Sequence, residues 1–259
     1  MTLPPGFLRA PFAHRGLHDR AAGRVENSRA AADAAARAGY AVEIDVQLSS
    51  DGEAMVFHDA TLERLTGAAG PLRARSAAEL SRLPLRDGAE TIPTLAEILA
   101  VLDGRTPLVV EVKDQGGALD GRGVGPLEAR VAALLAAYPG PVAVMSFNPA
   151  SVAALRDAAP ALARGLVAGA PEVFAEDGAA SERCEALAAL EDFAAVGACF
   201  VSYDARALPQ PRVAALRAAG AGVLSWTIRT PAQAAQVAPH VDAITFEGFL
   251  PAPGPTGAR

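Results

Sequence analysis

The sequence predicts an α/β protein, a TIM-type (β/α)₈ barrel with a short insertion after its second strand. Three observations carry that expectation. Short apolar runs alternate eight times with Ala/Leu/Arg-rich helical segments. Most runs are apolar throughout, as in parallel strands buried on both faces. The 259 residues match the roughly 250 of a single barrel.

In chain order, the strand candidates are 11–14, 42–48, 108–112, 142–146, 165–168, 199–202, 223–227 and 243–246. Helix candidates fall between them at 28–38, 94–102, 127–137, 149–158, 181–193, 211–219 and 231–237. Asn27 is placed to cap the first helix, Gly39 and Gly220 to follow helix ends, and several prolines to open helices. An open doubly wound sheet is the alternative architecture. Two segments break the rhythm. Residues 46–61 read as a hairpin with Asp51-Gly52 at its turn and 54–57 as the returning strand. Residues 62–92 are long, polar and punctuated by Gly67, Gly70, Pro71, Pro84 and Gly88. They predict an insertion, about 60–93, over one end of the barrel, where long loops often act as lids. With no linker in sight, 1–259 is expected to form one domain.

Hydrophobic residues make up 51% of the chain and aromatics 5%, so Ala, Val and Leu must fill a large core. A net charge of -6 with no long basic stretch argues against nucleic-acid binding. Cys184 and Cys199 have no metal-finger spacing and read as reduced packing residues. Residues 1–13 lack a signal-type apolar run, interrupted as they are by Arg9. The longest charge-free stretch, 131–155, is broken by Pro139-Gly140-Pro141 and Asn148-Pro149, which excludes a transmembrane span there. A soluble, cytoplasmic protein is expected. No feature specifies an oligomeric state.

The reactive residues gather at the C-terminal ends of the first three barrel strands. The first ends in His14-Arg15-Gly16. The second carries Glu43-Ile44-Asp45, and its hairpin returns to His58-Asp59. The third ends in Glu111-Val112-Lys113. Residues i and i+2 of a strand share a face, so Glu43 joins Asp45 and Glu111 joins Lys113. Three carboxylates converging on one mouth make a hard-oxygen site suited to Ca²⁺ or Mg²⁺, ringed by the histidines and Lys113. A metal-free ion-pair cluster with Arg15 and Lys113 is the alternative, because buried carboxylates need a cation of some kind. Glu26 falls at the edge of this site. Asp59 either orients His58 or closes a turn. Phe147 and Trp226, at the ends of the fourth and seventh strands, either wall a pocket or pack the barrel top. His18 and His240 read as surface residues.

The succession His14-Arg15-Gly16, Glu26-Asn27, Glu43-Ile44-Asp45-Val46, Asp51-Gly52 and Val56-Phe57-His58-Asp59 resembles the glycerophosphodiester phosphodiesterases. Glu111-Val112-Lys113, Ser146-Phe147, Ser225-Trp226-Thr227 and Val241-Asp242-Ala243-Ile244-Thr245 extend the resemblance along most of the chain. It implies a (β/α)₈ barrel that cleaves glycerophosphodiesters, small-molecule substrates, to sn-glycerol 3-phosphate and an alcohol. It further implies one divalent metal, Ca²⁺ or Mg²⁺, on Glu43, Asp45 and Glu111, with His14 and His58 as acid and base. Arg15 and Lys113 would hold the phosphate. The glycerol 2-hydroxyl could attack first through a cyclic phosphate, or water could attack directly. A lysophospholipase D-like enzyme and a catalytically silent phosphodiester-binding barrel are the rival expectations. The sequence departs from the family at Arg229, where an asparagine is expected, and at Phe246-Glu247-Gly248, where an aspartate and then a proline are expected. Both departures are expected on the far side of the barrel from the carboxylates, where they bear on substrate preference.

Overall fold

Nine strands and nine α-helices lie along residues 1–175 and 179–253, the residues described by the computed structural model. The strands are β1 (Phe12–Ala13), β2 (Ala41–Leu48), β3 (Ala54–Val56), β4 (Leu108–Val112), β5 (Val142–Ser146), β6 (Ala163–Ala168), β7 (Phe200–Asp204), β8 (Gly222–Ile228) and β9 (Ala243–Phe246). The helices are α1 (Arg29–Arg37), α2 (Ala77–Leu80), α3 (Leu95–Leu102), α4 (Pro126–Leu135), α5 (Pro149–Ala158), α6 (Pro171–Ala175), α7 (Ser181–Ala188), α8 (Pro211–Ala218) and α9 (Pro231–Val237). All strands but β3 run parallel. β1 closes the ring by pairing on both sides, Phe12 with Ala41 of β2 and Phe12 with Thr245 of β9. An open sheet is thereby excluded, and the eight-stranded barrel is the fold.

β3 pairs antiparallel to the end of β2, Val46 opposite Val56, with Gly52 at a φ of 87° in the turn. Only glycine takes that backbone conformation cheaply. Two details differ from expectation. Ser28, not Asn27, caps α1, its hydroxyl accepting from the Ala31 amide at 3.1 Å. Either residue type suits a cap, but Asn27 sits at a φ of 56° and its side chain is engaged elsewhere. The helix expected over 181–193 ends at Ala188, and Leu190 adopts a φ of 55°. The short α2 and α6 span little more than a turn, too few residues to show a periodic signal.

Alternation along the strands sorts two cores. One face of each strand packs against the helices in the larger cluster, which holds Val42, Ile44, Val110, Val144 and Val201. The other face fills the barrel: Phe12, Ala41, Val109, Ala143, Ala163, Phe200 and Leu224 occupy its lower part. Phe7 packs against Phe12 with tilted rings, centroids 5.4 Å apart, so the N-terminal segment plugs the bottom. The Phe200 ring fits because β6 carries Gly165 beside it; a Cβ there would lie 2.6 Å from the ring. Gly165→Ala is therefore expected to overpack the interior and cost about 1–3 kcal/mol. Thermal denaturation would register this as a melting temperature lowered by roughly 2–10 °C.

Residues 60–93 are more than a polar lid. Leu62, Leu65, Leu72, Leu80, Leu85 and Ile92 form a separate small core with Val25, Met55 and Phe57. Bridges Thr61 to Pro71 and Pro84 to Thr91 pin its backbone. No described helix is long and apolar enough to cross a membrane.

Candidate active site

The lower barrel is apolar, and the upper end is not. Glu43 and Asp45 of β2 and Glu111 of β4 continue the inward face, each almost fully buried. The register sets Asp45 beside Glu111. One oxygen from each of the three residues lies within 4.8 Å of the others. The surrounding backbone is built to hold them. After β1 the chain turns through Arg15 at φ 55° and Gly16 at φ 79°, which aims the Arg15 amide at Glu43 Oε2, 2.9 Å away. A Cβ on Gly16 would meet the Ala31 backbone at 2.8 Å, so α1 also needs glycine there. Asn27 grips Asp45 twice: its Nδ2 donates to Oδ2 at 2.9 Å and its Oδ1 accepts from the Asp45 amide at 3.2 Å.

Two cations enter the carboxylate group. Lys113 Nζ lies 2.8 Å from Asp45 Oδ1 and 2.5 Å from Glu111 Oε1. Arg15 Nε lies 3.5 Å from Asp45 Oδ2 without a hydrogen bond, while its Nη1 donates to Glu26 at 2.6 Å. Arg15 and Lys113 are thus shared among Glu26, Glu43, Asp45 and Glu111, and Glu43 is left short. Its Oε1 is buried with no partner. Burial, Asp45 and Glu111 together push the Glu43 carboxyl well above its ordinary range. Asp45 moves the other way. Burial opposes its charge, but Lys113, His58, Arg15 and His14 outweigh that and hold it well below the usual range. A ring of hard oxygens with one buried atom unpaired fits a divalent cation of the Ca²⁺ or Mg²⁺ type.

Both histidines face this group with a carboxylate on the outer ring nitrogen. His14 Nδ1 is 2.6 Å from Glu247 Oε2, and His58 Nδ1 is 2.8 Å from Asp59 Oδ1. Burial and the nearby Arg15 lower the His14 pKa and outweigh the pull of Glu247 and Asp45, which favours the neutral ring. The His58 loop is fixed from below. Gln47 Nε2 donates to the His58 and Asp59 carbonyls at 3.0 and 2.5 Å. Arg64, from the insertion, ties Asp59 and Glu26 together at 2.5 and 2.8 Å.

That Arg64 clamp predicts an acid-sensitive link. Burial raises the Glu26 carboxyl, but Arg64 and Arg15 win and lower it to about 2. A depressed carboxyl stabilises the fold above its unfolded value and loses that contribution as pH falls through its folded value. Stability from Glu26 should therefore fade between about pH 4.5 and pH 2. Its ceiling is on the order of 3 kcal/mol, reduced by solvent screening at the half-exposed Arg64. Glu26→Gln should flatten that part of the acid denaturation curve.

One cavity of about 210 Å³ is lined by His14, Arg15, Glu43, Asp45, His58, Glu111, Lys113, Phe147 and Trp226 together. Phe147 and Trp226 meet edge-on at 5.5 Å across its far wall, and Trp226 Nε1 donates to the Ser202 carbonyl at 3.0 Å. The two departures at Arg229 and Glu247 are not remote from the carboxylates. Arg229 lines the same cavity and pairs with Glu247 at 2.7 Å. Ring closure makes β9 the neighbour of β1, so its C-terminal end delivers Glu247 to His14. His18 is also no simple surface residue, since its Nε2 lies 3.7 Å from Glu247 Oε2. Gln47, Arg64 and Glu247 were not singled out from the sequence as site residues. Gln47 continues the i, i+2 face of Glu43 and Asp45, which was the available signal.

A model of the glycerophosphoryl diester phosphodiesterase family matches residues 14–247. The chain belongs to that family. Among solved structures it is similar to a phosphodiesterase from Oleispira antarctica in complex with the product sn-glycerol-3-phosphate. That likeness is 26% identity over 92% of each chain at a TM-score of 0.75. A glycerophosphodiester phosphodiesterase from Agrobacterium tumefaciens is 25% identical, covering 91% of this chain and 94% of that one, TM-score 0.68. A glycerophosphodiester phosphodiesterase from Bacillus altitudinis is 33% identical over 109 residues, 39% of this chain and 43% of that protein. The matched stretch is thus less than half the length of that relative. Family membership accounts for the shared barrel and for the ordered motifs from His14 onward.

Proposed function

We propose that the protein is a metal-dependent phosphodiesterase that hydrolyses glycerophosphodiesters to sn-glycerol 3-phosphate and an alcohol. The observation that carries this is the cavity itself, where three converging carboxylates, one with an unpaired oxygen, sit beside two histidines and two cations. Glu43, Asp45 and Glu111 would hold the divalent ion, Ca²⁺ or Mg²⁺. When bound, such an ion offsets charge on the phosphoryl oxygens and lowers the pKa of a coordinated hydroxyl or water.

The chain's own residues supply the rest. A phosphodiester is anionic, and its non-bridging oxygens gain charge as the nucleophile arrives. Arg15 and Lys113, which both line the cavity, are placed to hold those oxygens. His14 and His58 both have Nδ1 engaged by a carboxylate, which leaves Nε2 of each ring to exchange a proton with substrate. One Nε2 removes the proton of the attacking hydroxyl or water, and the other returns one to the leaving alkoxide. Phe147 and Trp226 close the wall against solvent. A wholly structural ion-pair cluster would not require two histidines arrayed in this way, which disfavours a silent binding barrel.

A panel of glycerophosphodiesters and lysophospholipids, assayed with Mg²⁺ or Ca²⁺ and product identification, tests the substrate class. The highest kcat/KM is expected on a deacylated glycerophosphodiester, whose phosphate and glycerol hydroxyls match the charged and polar groups that line the cavity. A clear preference for lysophospholipids would move the assignment to a lysophospholipase D-like enzyme.

A further inference from the structure

Glu247 stands where the sequence leaves the family pattern, and its carboxylate is held from three sides. Its Oε2 meets His14 Nδ1 at 2.6 Å, with His18 Nε2 at 3.7 Å from the same oxygen. Its Oε1 meets Arg229 Nη2 at 2.7 Å. The backbones beneath are locked across the seam that closes the barrel. The His14 amide donates to the Phe246 carbonyl at 2.9 Å, and the Glu247 amide to the Ile228 carbonyl at 3.0 Å. The opposite histidine has the same construction, His58 on Asp59 on Arg64. Two histidines, each backed by a carboxylate that an arginine clamps, thus face one cavity, His14 from the end of β1 and His58 from the end of β3.

A carboxylate is an acceptor, so a neutral His14 can satisfy Glu247 only with its proton on Nδ1. That tautomer presents the Nε2 lone pair to the cavity. When Nε2 takes a proton, the imidazolium is stabilised by the carboxylate already in contact with it. No other group contacts the His14 ring by a hydrogen bond among the described residues.

We propose that Glu247 is a positioning residue for His14, fixing its tautomer and ring orientation, and that Arg229 clamps the Glu247 carboxylate in place. This rests on the assignment of His14 as an acid/base group. The arrangement links the two departures: Arg229 and Glu247 form one ion-paired unit beside His14.

The test is a double-mutant cycle between His14 and Glu247, read by kcat and KM on sn-glycero-3-phosphocholine at saturating Mg²⁺. Glu247→Gln keeps the shape and removes the charge. It is expected to lower kcat by more than about 10-fold and up to about 10⁴-fold, the loss when an amide replaces the carboxylate that sets a catalytic histidine's tautomer, with KM changed less than about threefold. Glu247→Asp, which retains the carboxylate, should recover part of that loss and serves if the glutamine variant folds poorly. In a His14→Ala background, measured by single turnover, Glu247→Gln should change the rate less than about twofold, because its partner is gone. Arg229→Gln should lower kcat by a smaller factor, and combined with Glu247→Gln should add little. A Glu247→Gln enzyme with wild-type kcat, or one losing the same factor with and without His14, overturns the positioning role. A His14→Ala enzyme with full turnover overturns the acid/base assignment itself, and the two failures are thereby told apart.

Discussion

Alanine at His14 or His58 is expected to slow turnover of a glycerophosphodiester by about 10²–10⁴-fold, the usual range for one general acid or base. Neither ring is part of the apolar barrel filling, so the variants should melt near the parent temperature. Each ring presents only Nε2 to the cavity, because Glu247 and Asp59 take the other nitrogen. The two act on the same transition state, so the double variant should lose less than the product of the single losses. A diester with a nitrophenyl leaving group separates the roles. Nitrophenolate departs with little need of a proton, so it should restore rate to the variant lacking the acid and not to the one lacking the base. Near-normal turnover in both single variants on the natural class of substrate would remove the acid/base pair from the mechanism.

Chelation is expected to abolish turnover altogether, with Mg²⁺ or Ca²⁺ restoring it. The donors that meet at the barrel mouth are all carboxylate oxygens, a set suited to hard cations. Asp45→Asn is the informative variant. It keeps the size of the side chain that Asn27 and Lys113 contact, whereas a truncation would leave a cavity and remove both contacts. The ion concentration giving half-maximal rate should rise by at least about 10–100-fold, the effect of losing even a supporting partner of a metal ligand. Full activity in a thoroughly chelated sample would contradict the metal requirement, and the ion-pair cluster around Arg15 and Lys113 would then be the whole of the site.

The barrel was legible because its strands are buried on both faces, so they stand out as unbroken apolar runs between helical segments. The carboxylate face was legible for a simpler reason. Glu43 with Asp45, and Glu111 with Lys113, are two residues apart on strands that neighbour one another in any parallel barrel. What escaped depends on contacts no local pattern encodes. Glu247 reaches His14 only because the ring closes, which joins positions 233 residues apart. Asn27 was expected to cap the first helix, and the left-handed backbone that Asn tolerates decided against it. The insertion read as polar because its leucines are spaced without a helical or strand period. They still gather into a core, and the loop they support carries Arg64 to Asp59 and Glu26. Gln47 was overlooked because its work is done on backbone carbonyls, Phe57 to Asp59, rather than on another reactive side chain.

Phosphorus NMR on sn-glycero-3-phosphocholine mixed with the protein and Mg²⁺ or Ca²⁺ addresses the proposed reaction itself. The diester resonance should give way to that of a phosphomonoester, glycerol 3-phosphate, with free choline released and with no conversion after chelation. A diester left intact at protein concentrations sufficient for a single turnover with either ion, or conversion to phosphocholine through the other P–O bond, would contradict it.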